Sequence, residues 1–258
     1  MAPTVLLCAL ALSAGMVLSG CQVSSASTSA SAGPPSETAT ASAVSIPGTH
    51  HSTAVYTTSA PVSALVVTSQ VGNVTVTGAS GSTASVLEVS TYSAKPPVTT
   101  ATVSGGTLAV GYACPTELVC AVYYDIAVPR TAAVLVTADA GKIVLSGLAG
   151  QVTAKADAGL ISATGLAGSS VSLTTDVGAI TADFAAAPAT IVAVARVGAI
   201  TLRVPAAASY AVTAKASFGQ ATVRIPQAPS APHTITATTD VGAILVAYAG
   251  HGAQQSSS

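Results

Sequence analysis

Short runs of alternating apolar and polar residues fill most of this chain, and pairs of runs meet at a glycine. Residues 134–145 show the unit, with Val134, Val136, Ile143 and Leu145 on one parity and Gly141 between the runs. The same unit recurs at 152–163 around Gly159, 171–182 around Gly178 and 191–202 around Gly198. Further copies centre on Gly219 and Gly242, and an early one on Gly72. Seven residues before these glycines stand Leu65, Val134, Val152, Val171, Ile191, Val212 and Ile235; two after them stand Val74, Ile143, Ile161, Ile180, Ile200, Ala221 and Ile244. The residue just before each glycine (Val71, Ala140, Ala158, Val177, Val197, Phe218, Val241) is apolar as well, and the alternation reads it as inward. Period-two alternation predicts half-buried β-strands.

Parity survives the glycine only if the chain bends there, and glycine tolerates the positive φ that such a corner requires. A two-residue hairpin turn is one solution. The other is the corner of a coil that stacks on the next coil. From Gly141 onward the glycines are 18, 19, 20, 21 and 23 residues apart. Self-similarity at a nearly fixed period is the mark of solenoids, so the fold expected is all-β: a single-domain, parallel β-helix-like solenoid of coils of about 18–23 residues. Like positions should then form ladders.

Before the repeats the chain changes character. Residues 5–18 are an apolar run, too short and too terminal for a membrane span. The run ends Leu18-Ser19-Gly20-Cys21, which resembles the lipobox of bacterial lipoproteins. That resemblance implies a signal peptide at 1–20, cleavage before Cys21 and acylation of its sulfur, with membrane lipid as the first partner. Residues 21–47, rich in Ser, Ala and Thr, lack the large apolar groups needed to fold and read as a disordered tether. Its hydroxyls could carry O-linked sugars or simply space the domain from a membrane. The domain is expected over 48–250 and a disordered tail over 251–258.

Between the first copy and the regular repeats, residues 85–92 read as a strand whose apolar alternation is carried by Leu87 and Val89. A hairpin follows, 98–103 and 107–112 around Gly105-Gly106, then a strand at 122–128. With Cys8 in the leader and Cys21 carrying lipid, Cys114 and Cys120 remain as an even pair, which predicts a disulfide in an oxidising compartment. A redox couple is the alternative, but the spacing is not Cys-x-x-Cys and no basic residue stands close by to favour a thiolate.

Charge is sparse, 7% of residues with a net charge of −1, and no basic patch interleaved with aromatics exists, which argues against nucleic-acid binding. With no Trp and two Phe, the interior must be built from Val, Ile, Leu and Ala. The position two before the glycine carries the one recurrent charge: Asp139, Asp157 and Asp176, then Arg196, with Asp240 later. In a stack the three acids become neighbours. Bonding to turn N–H groups, nearby Lys142 and Lys155, or a weakly held cation would relieve the repulsion; calcium prefers six to eight oxygens, more than three Asp supply readily. His50-His51 reads as an exposed polar pair. No catalytic residues, metal site or cofactor are assigned. Paired carboxylates also serve glycosidases, but here they lie on a regular turn without aromatic sugar platforms. Outward Thr at 68, 137, 174 and 238, and at 75, 181, 201 and 222, suggests flat faces, either an ice-binding-like ladder or ordinary exposed strand residues.

Tyr124-Asp125-Ile126-Ala127-Val128-Pro129, the Val-x-Val-x-x-Asp-x-Gly-x-Ile-x-Leu-x-Gly-Leu-x-Gly run through 134–150, and its echo to Gly168 resemble the bacterial adhesin-labelled repeat family DUF4097 over residues 60–248. The resemblance implies a β-solenoid-like fold and a surface-interaction role, and carries over no catalytic residue. The functional expectation is a membrane-anchored cell-envelope lipoprotein on the outer face of the cell membrane, acting as a binding or scaffold module. Its further partner would be an envelope protein or an external glycan or surface. The alternatives are an envelope-stress or signalling accessory protein and, more remotely, a polysaccharide-active β-helix enzyme.

Overall fold

The computed structural model describes residues 49–115 and 119–250. The leader, Cys21, the tether and the tail at 251–258 lie outside the described residues. In chain order the strands are β1 (His50–Thr57), β2 (Ala64–Val71), β3 (Val74–Ala79), β4 (Ser85–Tyr92), β5 (Val98–Ser104), β6 (Thr107–Ala113) and β7 (Cys120–Pro129). Then come β8 (Ala133–Ala140), β9 (Ile143–Ser146), β10 (Val152–Ala158), β11 (Ile161–Leu166), β12 (Ser170–Val177), β13 (Ile180–Phe184), β14 (Thr190–Val197) and β15 (Ile200–Val204). The last four are β16 (Tyr210–Phe218), β17 (Ala221–Val223), β18 (His233–Val241) and β19 (Ile244–Tyr248).

They form two sheets, one ordered β1-β4-β7-β3-β9-β11-β13-β15-β19-β17 and the other β5-β6-β2-β8-β10-β12-β14-β18-β16. From β7 beside β6 to β17 beside β16 the two orders match rung for rung. A strand of the second sheet reaches a corner, bends, and continues as a strand of the first, and each such rung lies parallel on its neighbours. Thus β10 pairs in parallel with β8 and β12, while β11, beyond Gly159, pairs with β9 and β13. The runs flanking a repeat glycine lie in different sheets, so the glycine is a corner and not a hairpin turn. The architecture is all-β, two largely parallel stacked sheets in a β-solenoid-like arrangement.

Register does the rest. Val152 lies beside Val134 and Val171, and Ile161 beside Ile143 and Ile180. All six are buried, in a ladder of like residues. Towards the glycine corner the sheets converge, and the buried position three before the glycine narrows to Ser69, Ala138, Ala156, Thr175, Ala195 and Thr239. At the corner itself even a methyl group is excluded. A Cβ on Gly159 would lie 1.8 Å from the Gly141 carbonyl oxygen, on Gly178 1.8 Å from that of Gly159, and on Gly198 1.7 Å from that of Gly178. Positive φ (157° at Gly159) adds a second demand for glycine, but the approach of the next rung is the harder one.

Three features differ from the sequence reading. The rungs do not stack in chain order: β16–β17, with Gly219, lies at the end of the stack, and β18–β19, with Gly242, fills the place between it and β14–β15. The residue before the glycine does not face inward. Val177 is 56% exposed, Val197 43%, Val241 47% and Phe218 74%, because the bend begins at this residue and the tight corner leaves no interior room for it. In β4 the parity is reversed: Val86, Glu88 and Ser90 are buried while Leu87 is exposed. Antiparallel pairing sets Val86 against Ile126 and Glu88 against Tyr124, and this register decides the face.

The β6–β7 rung has no glycine corner. Its neighbour crosses in six residues, Thr68 to Val74; this rung takes thirteen, Gly111 to Tyr124, the partners in register. The extra loop is closed by a Cys114–Cys120 disulfide. Past it, β1, β4 and β5 finish this end of the stack with antiparallel pairings. The opposite end finishes on β16 and β17, with Gln227 bridged to Tyr210 at the start of the edge strand.

Gly159→Ala is expected to lose about 2–5 kcal/mol, combining overpacking against backbone with a left-handed φ. Gly105→Ala, whose new methyl meets nothing within 4 Å, should lose only about 1 kcal/mol. Urea unfolding of both variants checks the contrast, and equal losses would remove the rung-contact explanation. Replacing Cys114 and Cys120 by Ala should cost about 2 kcal/mol, since the closed loop is short; the same unfolding curves read it.

Candidate functional site

The glycine edge holds the charges that the sequence singled out. Pairing of Ala138 with Ala156 and of Ala140 with Ala158 sets Asp139 level with Asp157, and the next pairs set Asp157 level with Asp176. Asp157 meets Lys155 at 3.3 Å, and Asp176 meets Arg196 of the next rung at 3.2 Å. The corner N–H groups are engaged in the ladder: Gly141 donates to the Ala158 carbonyl at 3.0 Å and Ile143 to that of Leu160 at 2.8 Å. The Lys142 N–H donates to the Asn73 side chain at 2.9 Å. Among the described residues no three His, Cys, Asp or Glu gather in metal-binding geometry.

The outward faces are weakly charged. On the second sheet Thr68, Thr137, Lys155, Thr174, Val194, Thr238 and Lys215 follow one another in spatial order. On the first sheet Thr75, Val144, Ser162, Thr181, Thr201, Leu245 and Thr222 do so. An Arg203–Asp183 pair at 3.3 Å interrupts the neutral surface of that sheet.

A second cluster, not anticipated from the sequence, lies inside the β1 end of the stack. Glu88 is buried, accepting a hydrogen bond from the Ser90 hydroxyl at 3.1 Å. Opposite it in the register is Tyr124, also buried, whose hydroxyl has no hydrogen-bond partner. Burial, with the nearby Glu88 charge adding to it, pushes the Tyr124 phenol well above its ordinary range. Tyr112 lies 6.3 Å away, ring to ring, and its hydroxyl donates to the Val71 carbonyl at 2.6 Å. Tyr56 spans from β1 to Thr99 of β5 at 3.4 Å. The signal was present in the Val86-Leu87-Glu88-Val89-Ser90 run, which alternates on either parity. His50 and His51 begin β1, one stacked on Tyr92 and the other bonded to the Thr91 hydroxyl at 3.0 Å.

No family model and no curated protein matches the sequence. Among solved structures the chain is similar to a "putative cell adhesion protein" from Clostridium sporogenes, with 12% identity and a TM-score of 0.41 over 78% of this chain and all of that one. It is also similar to a "putative adhesin" from Bacteroides fragilis, with 10% identity and a TM-score of 0.41 over 77% of this chain and 97% of that one. A third, a "putative adhesin" from Parabacteroides distasonis, has 10% identity and a TM-score of 0.27 over the same shares.

Tyr124→Phe should stabilise the fold by about 1 kcal/mol at neutral pH, because it removes a buried hydroxyl without a partner. The phenol ionises less readily in the folded chain than in the unfolded one. Its contribution is therefore intact below the ordinary tyrosine pKa of 10.0 and is lost as pH rises above it. Stability measured by denaturant from neutral to strongly alkaline pH should fall less steeply in the variant; parallel curves would disconnect Tyr124 from the alkaline loss.

Proposed function

We propose that the chain is a lipid-anchored protein of the bacterial cell envelope that acts as a non-enzymatic, adhesin-like binding or scaffold module. The anchor would be acylated Cys21, residues 21–47 the tether, and residues 48–250 the contact domain. The observation that supports this reading is the pair of outward faces on which Thr, Ser and Val recur at ladder spacing with few charges. Rigid, repeated surfaces of this kind suit an extended partner held by many weak contacts, each adding to overall avidity. The disulfide adds support for an oxidising compartment outside the cytoplasm.

Cys21→Ala should move the protein from the membrane to the soluble fraction, read by fractionation and by mass spectrometry of the amino terminus; continued membrane association would sink the anchor. Photo-crosslinking from Thr137, Thr174 and Thr222 in the producing cell should capture a specific envelope protein if the module is a scaffold. Binding of the purified protein to a glycan array, without cellular capture, would identify an external surface ligand. Failure of both would refute the binding role.

A further inference from the structure

The glycine edge changes beyond β10. There the residue before the glycine is large, and Val177, Val197, Val241 and Phe218 follow one another on β12, β14, β18 and β16. On the far side of the glycines stand Ala179, Ala199, Ala243 and Gln220. The result is an exposed apolar strip four rungs long, about 15 Å at the spacing of adjacent strands. Beside it runs the column Asp176, Arg196, Asp240, Ser217, in that spatial order. Arg196 turns toward Asp176 at 3.2 Å, and Asp240, one rung away on its other side, has no ion-pair partner among the described residues. Contiguous exposed apolar surface rimmed by charge marks an interaction site more often than scattered apolar residues do.

We propose that this edge is a self-association surface occupied by a second copy of this chain. The strips pack antiparallel about a two-fold axis passing between the β14 and β18 rungs. A two-fold interface must be complementary to itself, and the charge column selects this axis. With the axis there, Arg196 of each copy faces Asp240 of the other, Asp176 faces Ser217, Val197 faces Val241, and Val177 faces Phe218. Moving the axis onto the β14 rung would oppose Arg196 to Arg196 and Asp176 to Asp240. Moving it onto β18 would oppose Asp240 to Asp240. Moving it between β12 and β14 would oppose Asp157 to Asp240. Among the registers that set Arg196 against an acid of the other copy, only the chosen one opposes no like charges, whose apposition disfavours wrong pairings. The strip is narrow, so the interface falls in the small, reversible class.

Sedimentation velocity on the full chain, over a concentration series reaching the millimolar range, tests this. A reversible monomer–dimer equilibrium is expected, weakened about tenfold or more by Arg196→Asp and by Val197→Asp, and recovered in the double variant Arg196→Asp/Asp240→Arg. Both side chains are exposed, so circular dichroism should match the parent; the unfolding curve of Val197→Asp should match it too, and that of Arg196→Asp should show only the small loss expected when a surface ion pair with Asp176 is replaced by a like charge. A chain that stays monomeric throughout overturns the proposal. So does a dimer that neither variant weakens, or one the charge-swapped double variant does not recover, because association would then use another face.

Discussion

The whole stack depends on how closely one rung's corner approaches the next. Each repeat glycine presses against the carbonyl of its neighbour, at distances that leave no place for a Cβ. That contact lets the ladder of hydrogen bonds continue around the bend, from Gly141 to Ala158, Gly159 to Val177 and Gly178 to Val197, at 2.8–3.0 Å. With the ladder unbroken at the corner, both sheets keep one register, and the buried Val, Ile and Leu positions fall on like residues. A chain with few aromatics can build a dry interior this way, because thin layers of aliphatic side chains are filled by repetition instead of by bulk.

The same constraint orders the surface. Inside the corner there is room only for small residues such as Ala156 and Thr175, so the side chain just before the glycine is turned out to the edge. Charges two residues before the glycine fall into a column beside it, and each must find a partner along the stack or in another molecule. Arg196 illustrates the effect: a residue unremarkable in its own repeat lies between acids from two rungs, one preceding it in the chain and one following it by more than forty residues. Edge chemistry in such a fold is therefore set by stacking order, which is a tertiary property.

That explains what was legible in the sequence and what was not. The repeat strands, the glycine corners, parallel stacking and the hairpin around Gly105-Gly106 follow from local alternation and turn chemistry, and the structure has them, whereas the strand at His50–Thr57 was not read from the sequence. The place of the Gly219 rung could not be read locally. Its repeat keeps the glycine register, with Ala221 where its neighbours have Val or Ile; the short link at 205–209 skips a position, and the longer, proline-containing link at 224–232 brings the chain back to fill it. The parity of β4 was hidden for a related reason. Val86, Leu87, Glu88 and Val89 suit either face, and antiparallel pairing with β7 settles the matter by bringing Glu88 opposite Tyr124.

The two ends of the stack put the same physics to different uses. At the β1 end, antiparallel strands and the disulfide-closed corner finish the sheets, and the interior accepts polar groups: Glu88 with its Ser90 donor, and three tyrosines. A buried carboxylate is costly without several donors, so this end carries more polarity inside than the regular rungs, whose buried polar groups are single hydroxyls such as Ser69, Thr175 and Thr239. At the β16 end the inward side chains shrink to Val212, Ala214 and Ala216, only half-buried, and Phe218 stands in solvent at the corner. The regular rungs between them are nearly interchangeable. Departures from the repeat therefore mark where this chain differs from a generic stack: the polar interior at one end and the apolar, charge-flanked edge toward the other.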